Sequence, residues 1–509
     1  MNKRDLALIA SITGVGLVFR LLAGSQSLLG DELSTLYLVK GESLSHVFSS
    51  VSSDAEISPP LYFVLAWIAT RLGDASELVR LPALLAGILL VPLTFALGRR
   101  IVGQTAGFLA AAFVALSPSM IYFSATGRAY SLLLLFLVGS TFSLILAVEG
   151  RSRWWLGFVL CATGAMYSHY TAAFVLAAQF GWAFFVVPAC RRQLLLAASA
   201  SLVLFLPWLG QLFNDLSSPT NDLLYALQGP GLEAKRAAFS RWAVGHPIIT
   251  VNQLPGRPVA LAMLLAILGA VAFSIARNLR STGPVREFLG SNRLLGLILI
   301  CAVATPLAEV LLALAGTDLL GARNLAASWP YLALAIAAAV ALAGRLPAIC
   351  CGLVLTLGFG FGAVRMVTDL QLPDYKGAAR SIEEESEPGD SVVDLLIPTL
   401  TPVPLTPLGA VSDLPPDVKV YNLNLPRGEP PFLPLTPKAD PNQQLARALR
   451  RSRNHSVFVI GPWAQVRSGE SAHYTNQQVQ LPPGWSVVSS ERFPGLIEIN
   501  LFKVERTSQ

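Results

Sequence analysis

Long apolar runs separated by short polar stretches organise the chain up to Asp369. A helix that crosses a bilayer needs about 20 mostly apolar residues. Runs at 6–24, 80–98, 102–119, 129–148, 154–168, 170–189, 194–211, 258–276, 294–315, 325–344 and 347–367 predict eleven such spans. The stretch 59–72, "PPLYFVLAWIATRL", is apolar too, but it is short, opens on two prolines and ends in Arg71. Segments of that length more often lie at the interface.

Cationic residues between spans favour the cytoplasmic side. With 59–72 lying on the membrane, the inside loops hold Arg99 and Arg100, Arg151 and Arg153, Arg191 and Arg192, then Arg277, Arg280, Arg286 and Arg293, then Arg345. Lys3 and Arg4 are inside as well. A crossing at 59–72 would put every cluster from Arg99 onward outside. The interfacial reading is therefore expected, with the N-terminus inside and the C-terminus outside.

Two outer loops follow, at 25–79 and 212–257, the second containing "SRWAVGHP". The first is acidic, with Asp31, Glu32, Glu42, Asp54, Glu56, Asp74 and Glu77 against Lys40 and Arg71. Beyond residue 368 the chain turns polar and proline-rich. "YKGAARSIEEES" reads as a helix, "DSVVDLLI" and "HSVFVIG" as strands, and "TLTPVPLTPLG" as loop. The expected division is a membrane domain over 1–368 and a small outer α/β domain over 369–509, without internal repeats.

Composition agrees. The 509 residues are 53% hydrophobic and 13% charged, with a mean hydropathy of +0.57. Soluble domains carry roughly 25% charged residues, so this is a polytopic α-helical membrane protein. The net charge of +6 is scattered in clusters between spans, which is a topological pattern and excludes a nucleic-acid partner. Cys161, Cys190, Cys301, Cys350 and Cys351 lie in or beside apolar segments, so neither a disulfide framework nor a metal spacing is expected. "MNKRDLALIASITGVGLVFRLLAGS" has the basic start of a signal peptide. Its apolar run is too long and lacks a clear cleavage site, so an uncleaved first helix is expected.

Candidate chemistry gathers on the outer side. Asp31 and Glu32 follow the first span in "SLLGDELSTLY", and the outer ends of other spans carry Arg80, Arg128, Tyr130, His169 and Arg323. A charge well inside a membrane helix costs on the order of 3 kcal/mol. Any one of these arginines is more often a snorkelling side chain than part of a site. Three arginines and His169 together outside, against the positive-inside bias, make sense around an anion, and a phosphate at the membrane surface is the obvious one. Asp31 also suits the N-cap of a helix beginning at Glu32. Asp54 and Glu56 suit an acceptor or a divalent metal, and a solvated loop equally. No ligand spacing demands a metal, so neither metal nor cofactor is predicted.

The order of "SPPLYFVLAW", "ELVRLPALLAG", "GRAYSLLLL", "YSHYTAAF" and "ARNLAASWPYLAL" after an acidic pair resembles the bacterial dolichyl-phosphate-mannose protein mannosyltransferase-like family. These are GT-C glycosyltransferases, relatives of aminoarabinose transferase. The resemblance is strongest over residues 1–190. It implies an inverting transfer of one sugar from a polyprenyl-phosphate carrier to a hydroxyl acceptor of the cell envelope, on the outer face of the bacterial inner membrane. Asp31 matches the general base, with Glu32 beside it, and Arg80, Arg128, His169 and Arg323 match positions around the donor phosphate. Asp54, Glu56, Tyr62 and Tyr130 are candidate sugar or acceptor contacts. Two positions depart from the family: Ser58 stands where His often precedes Pro-Pro-Leu, and Thr126 where Glu often precedes the Arg-x-Tyr arginine by two. Both bear on acceptor or sugar identity.

Elementary chemistry is compatible. A carboxylate with an ordinary pKa of ~4 is ionised at neutral pH and can take a sugar hydroxyl's proton. Fixed arginines can stabilise the leaving lipid phosphate. The alternatives are a polymer ligase with a diphosphate-linked donor, a membrane transporter, and a non-enzymatic lipid-binding protein. Transporters tend to show repeats and midplane charges in broken helices, and here most charges lie at helix ends.

Overall fold

Every predicted apolar run is helical in the computed structural model, which describes residues 2–28, 30–41, 43–53, 56–218, 231–282, 292–394, 414, 418–422, 441–452, 455–461, 481–496 and 498–507. In chain order the helices begin α1 (Lys3–Gly24), α2 (Asp31–Val39), α3 (Leu44–Val51), α4 (Leu61–Ala69), α5 (Ala75–Leu78) and α6 (Leu81–Ile101). Then come α7 (Gln104–Leu116), α8 (Pro118–Ala125), α9 (Tyr130–Val148), α10 (Trp154–Ser168), α11 (Ala172–Val186) and α12 (Arg191–Leu216). Further helices run Leu232–Val244, Arg257–Thr282, Arg293–Leu314, Trp329–Leu342 and Arg345–Thr368.

Among the described residues, eight helical stretches are long and apolar enough to cross a membrane, and a bent pair, α7 with α8, makes a ninth if taken as one span. α10 and α11 have 15 residues each. At 1.5 Å per residue they reach about 22 Å, short of the ~30 Å hydrocarbon core. The stretch 59–72 yields the nine-residue α4, about 14 Å long and too short to cross.

The chain divides into two compact units. The first comprises Met1–Gly24, Glu42–Leu72 and Arg80–Val367. Its centre is α9 and Trp329–Leu342, buried on nearly every side, whereas α12 turns Leu195, Leu196, Leu202 and Leu206 outward. Polar groups at the centre satisfy one another, as lipid requires. The Tyr331 hydroxyl donates to the Leu137 carbonyl at 2.7 Å, and Gln179 donates to Thr141 at 2.8 Å.

The expected single span over 102–119 breaks at Ser117. Pro118 lacks an N–H and pushes the residue before it out of helical conformation. Ser117 is extended, and α8 leaves α7 at 58°. The break strands the carbonyls of Val114, whose partner would have been the proline nitrogen, and of Ala115. Arg20 on α1 satisfies both: its Nη2 donates to Val114 O at 3.1 Å and its Nη1 to Ala115 O at 3.0 Å. Only 1% of Arg20 is exposed.

The second unit gathers Ser25–Gly41, Gly73–Val79 and Thr368–Gln509, so the polar tail is built together with two pieces of the 25–79 loop. The five-stranded sheet has the order β2–β1–β3–β5–β4, from β1 (Ser391–Asp394), β2 (Lys419–Asn422), β3 (Val457–Gly461), β4 (Trp485–Phe493) and β5 (Ile499–Arg506). β1 runs parallel to β2 and β3, while β5 is antiparallel to β3 and β4. Side chains alternate across a strand. Val392, Phe458 and Ile460 therefore pack on the helix Tyr375–Glu385, and Val393, Val457 and Val459 on the helix Pro441–Ser452. The expected helix and both strands are thus present. "TLTPVPLTPLG" lies outside the described residues, as does Asp54.

Candidate active site

Arg128 stands in the turn between α8 and α9, where Thr126 is extended and the Arg128 N–H closes on Thr126 O at 2.7 Å. Its guanidinium forks onto one carboxylate. Nη1 meets Glu56 Oε2 at 2.6 Å and Nη2 meets Oε1 at 3.1 Å, with Ser58 Oγ 3.4 Å from Nη2 and the Phe63 ring 5.7 Å away. Parallel contacts of this kind are among the stronger hydrogen bonds, and the Glu56 side chain is 5% exposed. The sequence reading assigned Arg128 to the phosphate and Glu56 to sugar or acceptor; the structure joins them in one ion pair. Thr126 spends its hydroxyl on Tyr122 O. The arginine's carboxylate comes from Glu56 instead, 72 residues upstream.

From Tyr130, at the start of α9, a row of rings runs through the unit. Tyr130 lies 5.3 Å from His169 and 4.7 Å from Phe123, Phe123 is 5.7 Å from Tyr122, and Tyr122 is 4.6 Å from His246. Tyr62, fully buried on α4, meets Phe63 edge-on at 6.3 Å. His169 sits in the turn after α10, its Nδ1 3.3 Å from the Thr171 N–H. Burial, then Arg128, push its ring down to about 4, against an upward pull from Glu56. His169 is therefore neutral at physiological pH, a hydrogen-bonding group and not one of the cations the sequence reading counted.

An unfolded histidine titrates near 6.5, so between about pH 6.5 and 4 the unfolded chain binds the extra proton and stability falls as pH falls. Thermal unfolding across that window should show a smaller acid loss in His169→Gln than in the parent.

Arg323 precedes the short turn Asn324–Ser328 that leads into Trp329–Leu342. It lies close enough to His246 to lower that ring's pKa, after burial, with Arg241 adding to the effect, down to about 3. His246 Nδ1 accepts the N–H groups of Ile248 and Ile249, both at 3.2 Å. Sequence reasoning passed over His246; its only signal was a lone histidine in "SRWAVGHP". Arg80, 5% exposed, donates from Nη1 to Gly24 O at 2.5 Å, closing the end of α1. A second missed group lies next to His169. The Tyr170 hydroxyl donates to Asp215 at 2.5 Å, and Trp208 Nε1 donates to that hydroxyl at 3.0 Å.

Asp31 and Glu32 belong to the second unit. The helix starts at Asp31, one residue earlier than expected, and its N-cap is Gly30 at φ 57°, a conformation glycine adopts readily. Asp31 is thus not the cap. It is half-exposed in the first turn, while Glu32 is 1% exposed. Among the described residues, no three His, Cys, Asp or Glu side chains converge as metal ligands.

Residues 58–210 match the family model described as dolichyl-phosphate-mannose-protein mannosyltransferase. No curated protein matches the sequence. The crystal structure of ArnT from Cupriavidus metallidurans bound to undecaprenyl phosphate aligns over 99% of this chain and 98% of its own, with a TM-score of 0.53 and 11% identity. That likeness is one of fold. AglB, the archaeal oligosaccharyltransferase of Archaeoglobus fulgidus, in complex with an inhibitory peptide and a dolichol-phosphate, aligns over 75% of this chain and 58% of its own at TM-score 0.46 and 13% identity. The matched segment contains Arg80, Arg128, Tyr130 and His169. The family match thus covers less than half of the chain, and the ArnT likeness extends along nearly all of it as a shared fold.

Proposed function

We propose that the chain is an inverting glycosyltransferase that moves one sugar from a polyprenyl-phosphate carrier to a hydroxyl acceptor of the cell envelope, on the outer face of a bacterial inner membrane. The observation that carries this reading is the family match over 58–210, the segment that holds Arg80, Arg128 and His169. The ArnT structure, bound to undecaprenyl phosphate, supports the choice of carrier. Asp31 takes the acceptor's proton as its oxygen attacks the anomeric carbon. The bond from that carbon to the phosphate oxygen breaks, and the lipid phosphate leaves with the electron pair. One displacement inverts the anomeric centre. Arg80 and Arg323 meet the growing charge on the phosphate. Arg128, held by Glu56, and the neutral His169 shape the same side.

The test is release of polyprenyl phosphate from a polyprenyl-phosphate hexose by purified protein with an envelope acceptor extract. Release of a diphosphate, or of no lipid, would sink the reading. In the same assay, Arg80→Ala or Arg323→Ala should weaken carrier binding by one to two decades, since each charge-assisted hydrogen bond is worth roughly 1.5–3 kcal/mol. Arg→Lys should also lose activity, because a point charge does not reproduce a planar fork. Free exchange with Lys at both positions would mark them as snorkelling side chains.

A further inference from the structure

The second unit contains a cavity of about 700 Å³, walled by α2, α5 and the helix Tyr375–Glu385. Three cations and three carboxylates line it, and the carboxylates are already engaged. Asp74 accepts the N–H and the hydroxyl of Ser76, both at 2.7 Å, and is held below the usual carboxylate range by those bonds first and by Lys376 among the lesser causes. Glu77 pairs with Lys376 at 2.5 Å. Asp374 caps the helix Tyr375–Glu385, accepting the Gly377 N–H at 2.8 Å, where the helix N-terminus offsets a negative charge. The remaining two charges are Lys40, at the end of α2, and Arg380, on the facing helix. Both are exposed, and neither has a side-chain partner among the described residues. The six charges balance in number, but the carboxylates are occupied by Ser76, Lys376 and the helix N-terminus, so the two groups left to meet a ligand are cations.

The cavity shares α2 with the proposed base. Leu36 and Lys40 line it, and at 1.5 Å per residue they stand about 8 and 14 Å along the helix from Asp31. A short oligosaccharide spans that interval. We infer that this cavity is an acceptor subsite, in which Lys40 and Arg380 hold an acidic sugar of the acceptor glycan while a neighbouring sugar presents its hydroxyl to Asp31. This rests on the hydroxyl-acceptor reading above. It assigns the outer-loop helix and the tail domain one shared task, recognition of an anionic saccharide, separate from the carrier. Lys and Arg both serve such anions, Arg through its planar fork.

The probe is trigalacturonate, with neutral maltotriose as the comparison, titrated by calorimetry into the full-length protein in nanodiscs. The parent should bind trigalacturonate at least tenfold more tightly than maltotriose, and K40A/R380A should lose that preference. Thermal unfolding of the variant should match the parent, because both side chains are exposed and unpaired; Lys40→Glu with Arg380→Glu gives a second variant in which the preference should vanish. Equal affinity for the two trisaccharides, no binding of trigalacturonate by the parent, or unchanged affinity in both double variants would overturn the inference. Carrier binding by the parent, measured alongside, keeps the two ideas apart. Carrier bound without trigalacturonate removes the subsite alone, whereas absence of carrier binding removes the transferase reading.

Discussion

Asp31→Asn should lower turnover by about 10² to 10⁴ while leaving carrier affinity close to that of the parent. The size follows from the loss of one general base. An amide keeps the shape of the side chain and can still accept a hydrogen bond, but it cannot take the acceptor's proton. Asp31 is the better placed of the acidic pair: it is half-exposed in the first turn of α2, whereas Glu32 is buried. Single-turnover kinetics with preloaded carrier would isolate the chemical step. Near-parental turnover in Asp31→Asn, together with a collapse in Glu32→Gln, would move the base by one residue.

Glu56→Ala should destabilise the first unit by about 3–5 kcal/mol, the cost of leaving one partner of a buried ion pair without its counter-charge. The pair is nearly dry, with side-chain exposures of 15% for Arg128 and 5% for Glu56. The double variant Glu56→Ala with Arg128→Ala should recover much of that loss, since no uncompensated charge remains. A double-mutant cycle on thermal or denaturant unfolding in detergent measures the coupling. Additive losses would mean that the two side chains do not depend on each other. Turnover should fall in Glu56→Ala even where the protein stays folded, because Arg128 loses the fork that fixes it.

What the sequence made legible was whatever the solvent enforces locally. A bilayer demands long apolar segments with satisfied backbones, so the helices fell where the runs lay, and α4 was recognised as too short to cross. The break at Ser117 has a local signal in "LSPSM", whereas hydropathy alone carries straight through it. Pairings were the opaque part. Glu56 and Arg128 are 72 positions apart, and nothing in either neighbourhood names the other. His246 is a single residue in a loop, given meaning only by Tyr122 and Arg323 beside it. The cavity behind Lys40 and Arg380 needs elements from opposite ends of the chain. Chemistry-bearing residues were found as types; their partners required the fold.

Arg20 bears on how the protein is made. It sits near the end of the first helix, where Nη1 also meets Gly16 O at 3.0 Å, yet its other two backbone acceptors, Val114 and Ala115, lie 94 and 95 residues later. During synthesis α1 reaches the translocon well before those carbonyls exist. An arginine alone at depth carries a penalty on the order of 3 kcal/mol, so a lone α1 is expected to sit shallow or tilted. Emergence of α7 and α8 supplies the two further acceptors, and α1 is expected to reach its final depth only then. The kink and the charge complete each other, and a nascent chain halted before residue 114 would hold neither in place.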